Sequence, residues 1–128
     1  MPFDNPQQPP FGDIELLWDA RSRIGRKGDW VQGRFQDGNR HCLVAALSLA
    51  AGSASFNMPN RLERRLARLV ATNLPSRLTL WARLRCFTAR QRLMWFNDDP
   101  RTRHQDVLGV LDTTIDRLAS RMPVSVST

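Results

Sequence analysis

Between Cys42 and Gly52 the chain reads Leu43, Val44, Ala45, Ala46, Leu47, Ser48, Leu49, Ala50, Ala51, with Ser48 as its single polar interruption. A helix that is apolar on every side has no face to give to water, so other elements must enclose it. The run is about half of what a bilayer span needs, which argues for a core element and against a membrane-crossing one. The stretch from Asn39 to Gly52 is therefore expected to be the central helix of one small core, capped by Asp37 or Asn39.

A chain of 128 residues has room for one domain. At this size roughly two-thirds of the unfolded surface is buried on folding, so neither a disulfide nor a metal is needed. Cys42 and Cys86 both lie in apolar settings, which suits buried thiols in a reducing compartment. The N-terminal residues Met1, Pro2, Phe3 and Asp4 lack the basic start and apolar run of a secretory signal. A cytoplasmic protein that does not engage a membrane is the expectation.

The segments around the central run must supply its walls. Residues 1–12, with four prolines and no apolar periodicity, read as a disordered arm, and 122–128 as a fraying tail. Between them, 13–121 is expected to be a single helical domain. Asp13 opens a pattern of Ile14, Leu17, Trp18, Arg21 and Ile24 that Gly25 to Gly28 closes. Asp29 to Gly38 reads as a loop or one short strand pair. Pro59 is placed for the first turn of a helix with Leu62, Leu66, Leu69 and Val70 on one face and Arg61, Arg64, Arg65 and Arg68 on the other. That helix ends near Pro75. Residues 77–88 fit both period two and a helical period, and a helix capped by Ser76 is preferred because no other run offers a long partner strand. A loop is expected over Trp95 to Arg103, then a final helix with Thr102 and Gln105 as capping box and Val107, Leu108, Leu111, Ile115 and Leu118 on its apolar face. The fold class is all-α: about five helices around the helix at 39–52.

Charge is unevenly placed. The net charge is +7, yet 1–56 and 97–128 are nearly balanced, while 57–96 holds nine arginines against Glu63 alone. Arg61, Arg64, Arg65, Arg68, Arg77, Arg83, Arg85, Arg90 and Arg92 are thus candidates for docking on an acidic macromolecule, either nucleic acid or an acidic protein surface. A solvated helix face is the bland alternative. A helix-turn-helix about Leu74 to Ser76, presenting Arg77, Thr79, Arg83 and Arg85, is a weaker form of the same idea.

Catalytic candidates are few. Cys42 near a helix start, with His104 and Asp98 downstream, has the residue types of a cysteine hydrolase, but a buried structural thiol looks the same in sequence. His41 is expected to face outward. His41, Cys42, Cys86 and His104 lack zinc-site spacing, since neighbouring side chains on a helix diverge by about 100°. Gly25 and Gly28 lack the strand, third glycine and lysine of a phosphate loop. Neither a metal nor a cofactor is expected. Trp95, Asn97, Asp98, Arg101 and Thr102 invite two readings. In the functional one, Asn97, Asp98 and Asp99 with Arg101 and Arg103 bind a small anion or a partner's side chain. In the structural one, which is preferred, Trp95 buries its ring and anchors the loop, Asn97 makes an Asx turn and Thr102 caps the last helix.

Three segments together resemble a family of small bacterial and phage proteins known as a domain of unknown function: Leu17, Ala20, Ile24, Trp30, Gln32 and Gly33; Arg40, Cys42, Leu43, Ala46 and Leu47; and Trp95, Asn97, Asp98, Arg101, Thr102, Val107, Leu108, Leu111 and Ile115. The resemblance implies one helical domain inside the cell and brings no activity with it. The functional expectation is a non-catalytic binding protein, with a phage-type inhibitor of a host protein and a Cys42-centred hydrolase as alternatives.

Overall fold

A computed structural model describes residues 11–76 and 88–121. Residues 1–10 of the arm expected at 1–12, the tail at 122–128, and all but Thr88 of the segment 77–88 that fits helix or strand lie outside the described residues. Among the described residues there are five α-helices and one two-stranded antiparallel sheet. Helix α1 is Phe11–Arg23, α2 is Leu43–Ala51, α3 is Arg61–Ala71, α4 is Ala89–Asp98 and α5 is His104–Ser120; strands β1 and β2 are Gln36–Asp37 and Arg40–His41.

Helix α2 sits at the centre, packed by α1, α3 and α4, while α5 closes the far side against α1 and α3. Leu43 to Ser48 and Ala51 are buried. Enclosure is incomplete, because Leu49 is 37% exposed. Of the stripes that periodicity implies, Leu17 and Ile24 from α1, Leu66 and Val70 from α3, and Val107, Leu111, Ile115 and Leu118 from α5 are buried, joined by Ala20 and Ala67, whereas Ile14, Leu62, Leu69 and Leu108 are half-buried and Trp18 is 51% exposed.

Helix starts depart from expectation in ways that local chemistry explains. Asp37 and Asn39 do not cap α2, because both belong to a hairpin in which Asp37 pairs with Arg40 across Gly38 and Asn39. Gly38 has φ 63°, the left-handed backbone that such tight hairpin turns require. The cap is Cys42 itself, whose Sγ accepts the Ala45 N–H at 3.3 Å. At the other end Gly52 takes φ 73°, and the Ser53 N–H reaches the Ser48 carbonyl, closing α2 with a Schellman turn. Asn60 caps α3 by accepting the Glu63 N–H at 2.8 Å, which leaves Pro59 outside the first turn where it was expected. Helix α1 begins at Phe11, so the last two residues of the segment expected to be an arm, Phe11 and Gly12, are helical.

The loop expected over 95–103 is helix in its first four residues, and only 99–103 lie outside a helix. Thr88 and Gln91 form a reciprocal capping box that starts α4, and the helix runs through Trp95, Phe96, Asn97 and Asp98. Asp99, forced out of helical backbone by Pro100, has ψ 127° and ends it. The cap of α5 is Arg103 and not Thr102. Asp106, third in the helix, accepts the Arg103 N–H at 2.8 Å, moving the boundary one residue past the expected Thr102 and Gln105 box. No helix among the described residues is long and apolar enough to cross a membrane.

Candidate functional site

The exposed side of α3 carries Arg61, Arg64, Arg65 and Arg68. Arg65 is engaged by buried Asp13 at 2.8 and 3.0 Å, tying α3 to α1. Arg61, Arg64 and Arg68 form no ion pair among the described residues. Arg90 leaves the expected docking set altogether. Its Nε lies 2.7 Å from a carboxylate oxygen of Glu63, a residue with no exposed surface, and its guanidinium also bonds the Phe56 carbonyl and stands 5.5 Å from the Phe35 ring centroid. Arg92 is half-buried, and its Nε has no hydrogen-bond partner among the described residues. Arg77, Arg83 and Arg85, and with them the helix-turn-helix idea, lie outside the described residues.

Glu63 also accepts the Ser53 hydroxyl at 2.7 Å, so the pair is a built internal bridge from α3 to α4. Breaking a buried pair leaves an uncompensated charge, which costs more than the intact pair contributes. Arg90→Met is expected to lower the unfolding free energy by about 3 kcal/mol, measured by urea titration. The double variant with Glu63→Gln should recover part of that loss, because no buried charge then remains.

A second centre joins the segments around residues 30, 42 and 97. Asn97, with no exposed surface, accepts the Trp30 indole N–H at 2.7 Å and the Leu43 N–H at 3.0 Å through Oδ1. Its Nδ2 donates to the Val31 carbonyl and to Asp98 Oδ1, both at 3.0 Å. Gln32 donates to the backbone carbonyls of Asn97 and Asp99, and the Gly33 N–H reaches Asp98 Oδ1 at 2.8 Å. Asn97 makes no Asx turn; its side chain reaches across the fold instead of along its own chain. Trp95, expected to be the buried anchor, is 42% exposed, and Trp30 supplies the anchoring indole. Arg101 pairs with Asp99, whose hydrogen bond raises the guanidinium pKa.

A family model matches residues 9–117. The chain belongs to the family of unknown function DUF6197. No curated protein and no solved structure gives a significant match. The DUF6197 match spans α1 to α4, both strands and most of α5, and so includes the whole Asn97 network.

The catalytic trio suggested by residue types does not assemble as a triad. His104 Nε2 lies 2.6 Å from the Ile24 carbonyl and its ring packs 5.8 Å from Trp30. Cys42 is a free, buried thiol. Burial pushes its pKa up; the Ala45 and Val44 amides oppose that, and the Asp98 charge adds to it. Reactive thiols need a shift in the other direction. Among the described residues no three metal-ligating side chains come together, and Cys86 lies outside them.

His41 does not face outward from a helix start. It lies on β2, where its carbonyl accepts the Val31 N–H and its Nδ1 is buried without a hydrogen-bond partner among the described residues. Burial, then the Arg23 charge, lower its pKa from 6.5, with Asp29 opposing. The unfolded chain therefore binds a proton more readily than the folded one, so stability is full above 6.5 and falls as pH drops toward the folded value. Melting temperature is expected to decline on mild acidification, and His41→Gln to flatten that decline. Charge counting places Arg90 among the docking arginines and does not reveal its bridge to Glu63, and no sequence signal singles out Met94.

Proposed function

We propose that this protein is a non-catalytic binding module that docks on an acidic macromolecule through the face of α3 formed by Arg61, Arg64 and Arg68. One observation supports this above others. Arg21, Arg23, Arg40, Arg65, Arg90 and Arg101 each pair with a carboxylate, whereas these three exposed neighbours pair with none among the described residues. At positions i, i+3 and i+7 they follow one line along α3 of about 10 Å, a spacing at which several anionic groups of one partner are met together. A groove of about 440 Å³ between α3 and the start of α4 adjoins the line, with Arg64 and Arg68 on one side and Thr88 and Gln91 on the other. The hydrolase reading has less behind it, given the raised thiol and the contacts that hold His104.

The test is charge reversal in two variants with the same net charge. Arg61→Glu, Arg64→Glu and Arg68→Glu together are compared with Arg26→Glu, Lys27→Glu and Arg121→Glu, for which no side-chain bond is formed among the described residues. Binding to a single-stranded oligonucleotide and to polyglutamate is followed as salt is raised. The first triple should lose binding at least tenfold more than the second, with melting temperature little changed. Equal loss in both would reduce the effect to overall charge and defeat the reading.

A further inference from the structure

Where the segment at 33–35 meets the head of α2 and the last two turns of α4 there is a cavity of about 310 Å³. Its size is at the small end of ligand pockets. Phe35, Met94 and the Cys42 thiol give it apolar walls. Those walls are held in place: the Phe35 ring packs on Phe56 at 5.5 Å and under the Arg90 guanidinium, while Asn97 is fastened by the network already described. A pre-ordered cavity loses little entropy on filling.

Two opposite charges line this small space. Asp98 Oδ1 accepts from Gly33 N–H at 2.8 Å and from Asn97 Nδ2 at 3.0 Å, which fixes the plane of the carboxylate. Its Oδ2 forms no hydrogen bond among the described residues. Arg34 is exposed and forms no ion pair among the described residues, with Asp98 or with any other carboxylate. A bare cation entering here meets the repulsion of Arg34, and a bare anion that of Asp98. A ligand carrying both charges satisfies both groups with charge-assisted hydrogen bonds.

We propose that this cavity binds a small zwitterion with an apolar side chain, of the free α-amino acid class: its ammonium on Asp98, its carboxylate on Arg34, and its side chain against Phe35, Met94 and Cys42. The site is separate from the exposed α3 arginines and does not depend on the docking reading.

The full chain is titrated with L-leucine and L-phenylalanine, and with the single-charge analogues isoamylamine and 4-methylpentanoate, by calorimetry and amide NMR. At least one amino acid should bind saturably at millimolar concentration or below, at least tenfold tighter than either analogue, with shifts at Gly33, Arg34 and Asp98. Arg34→Gln and Asp98→Asn should each weaken it tenfold or more; asparagine keeps an oxygen for the Gly33 N–H, and the Arg34 side chain forms no hydrogen bond or ion pair among the described residues. Met94→Trp should block binding by filling the space. No saturable binding of either amino acid, analogues that bind equally well, or affinities unchanged in Arg34→Gln would overturn the proposal.

Discussion

Replacing Leu47 with aspartate should leave no cooperative unfolding transition in urea and no dispersed amide spectrum. Leu47 is 1% exposed at the centre of α2, with α1, α3 and α4 packed around the helix. Removing the leucine side chain from such a site costs about 2–5 kcal/mol through lost transfer energy and an unfilled cavity. The aspartate adds a buried carboxyl group with no partner provided for it, a further penalty of several kcal/mol whether it stays charged or takes up a proton. Together these equal or exceed the roughly 5–15 kcal/mol by which a domain of this kind is stable. Leu49→Asp is the control on the same helix. Leu49 is 37% exposed, so its aspartate reaches water and the fold should persist. A folded Leu47→Asp protein would mean that α2 is not the element around which the core is built.

Asn97→Ala should lower the unfolding free energy by about 5 kcal/mol, since three groups lose their partner at once. The Trp30 indole N–H, the Leu43 N–H and the Val31 carbonyl all bond to this one side chain. A buried donor or acceptor stranded without a partner costs about 1–3 kcal/mol, and the alanine methyl has no polar atom to answer any of them. Asn97→Asp separates the two sides of the amide. It keeps the acceptor for Trp30 and Leu43 but sets a carboxylate oxygen against the Val31 carbonyl and beside Asp98, so it should be destabilised too, with the loss reduced at acidic pH. Urea titration with tryptophan fluorescence reads both variants. If Asn97→Ala unfolds at nearly the wild-type midpoint, the network is not what joins α4 to the segment at 30–33.

Both variants separate what is local in this chain from what is not. The helical stripes were legible because burial of one helix face writes itself into sequence at a fixed spacing: Leu17 and Ile24, or Val107, Leu111 and Ile115, need no knowledge of their neighbours. Caps were less legible. Side chains within three residues compete for the same few orphan N–H groups, and Cys42 and Asn60 won over Asp37, Asn39 and Pro59 only once the Gly38 hairpin and the true helix starts were in place. Within the segment 95–103, Asn97 and Asp98 read as loop because asparagine and aspartate compete with helix locally. Inside the fold the Asn97 side chain faces Trp30, Val31 and Leu43 instead, and the helix continues beneath it.

Charge shows the same division. Sequence alone located the arginine excess in 57–96, since charge counting needs no structure. It did not say which arginines are free, because that depends on carboxylates brought from far along the chain: Asp13 lies 52 residues from Arg65, and Glu63 lies 27 from Arg90. The enclosure of α2 follows from composition, as an all-apolar helix has no other stable place. The cavity beside Cys42, the bridge at Arg90 and the side chains that close on Asn97 follow from which surfaces meet when the helices pack, and spacing along the chain does not encode that.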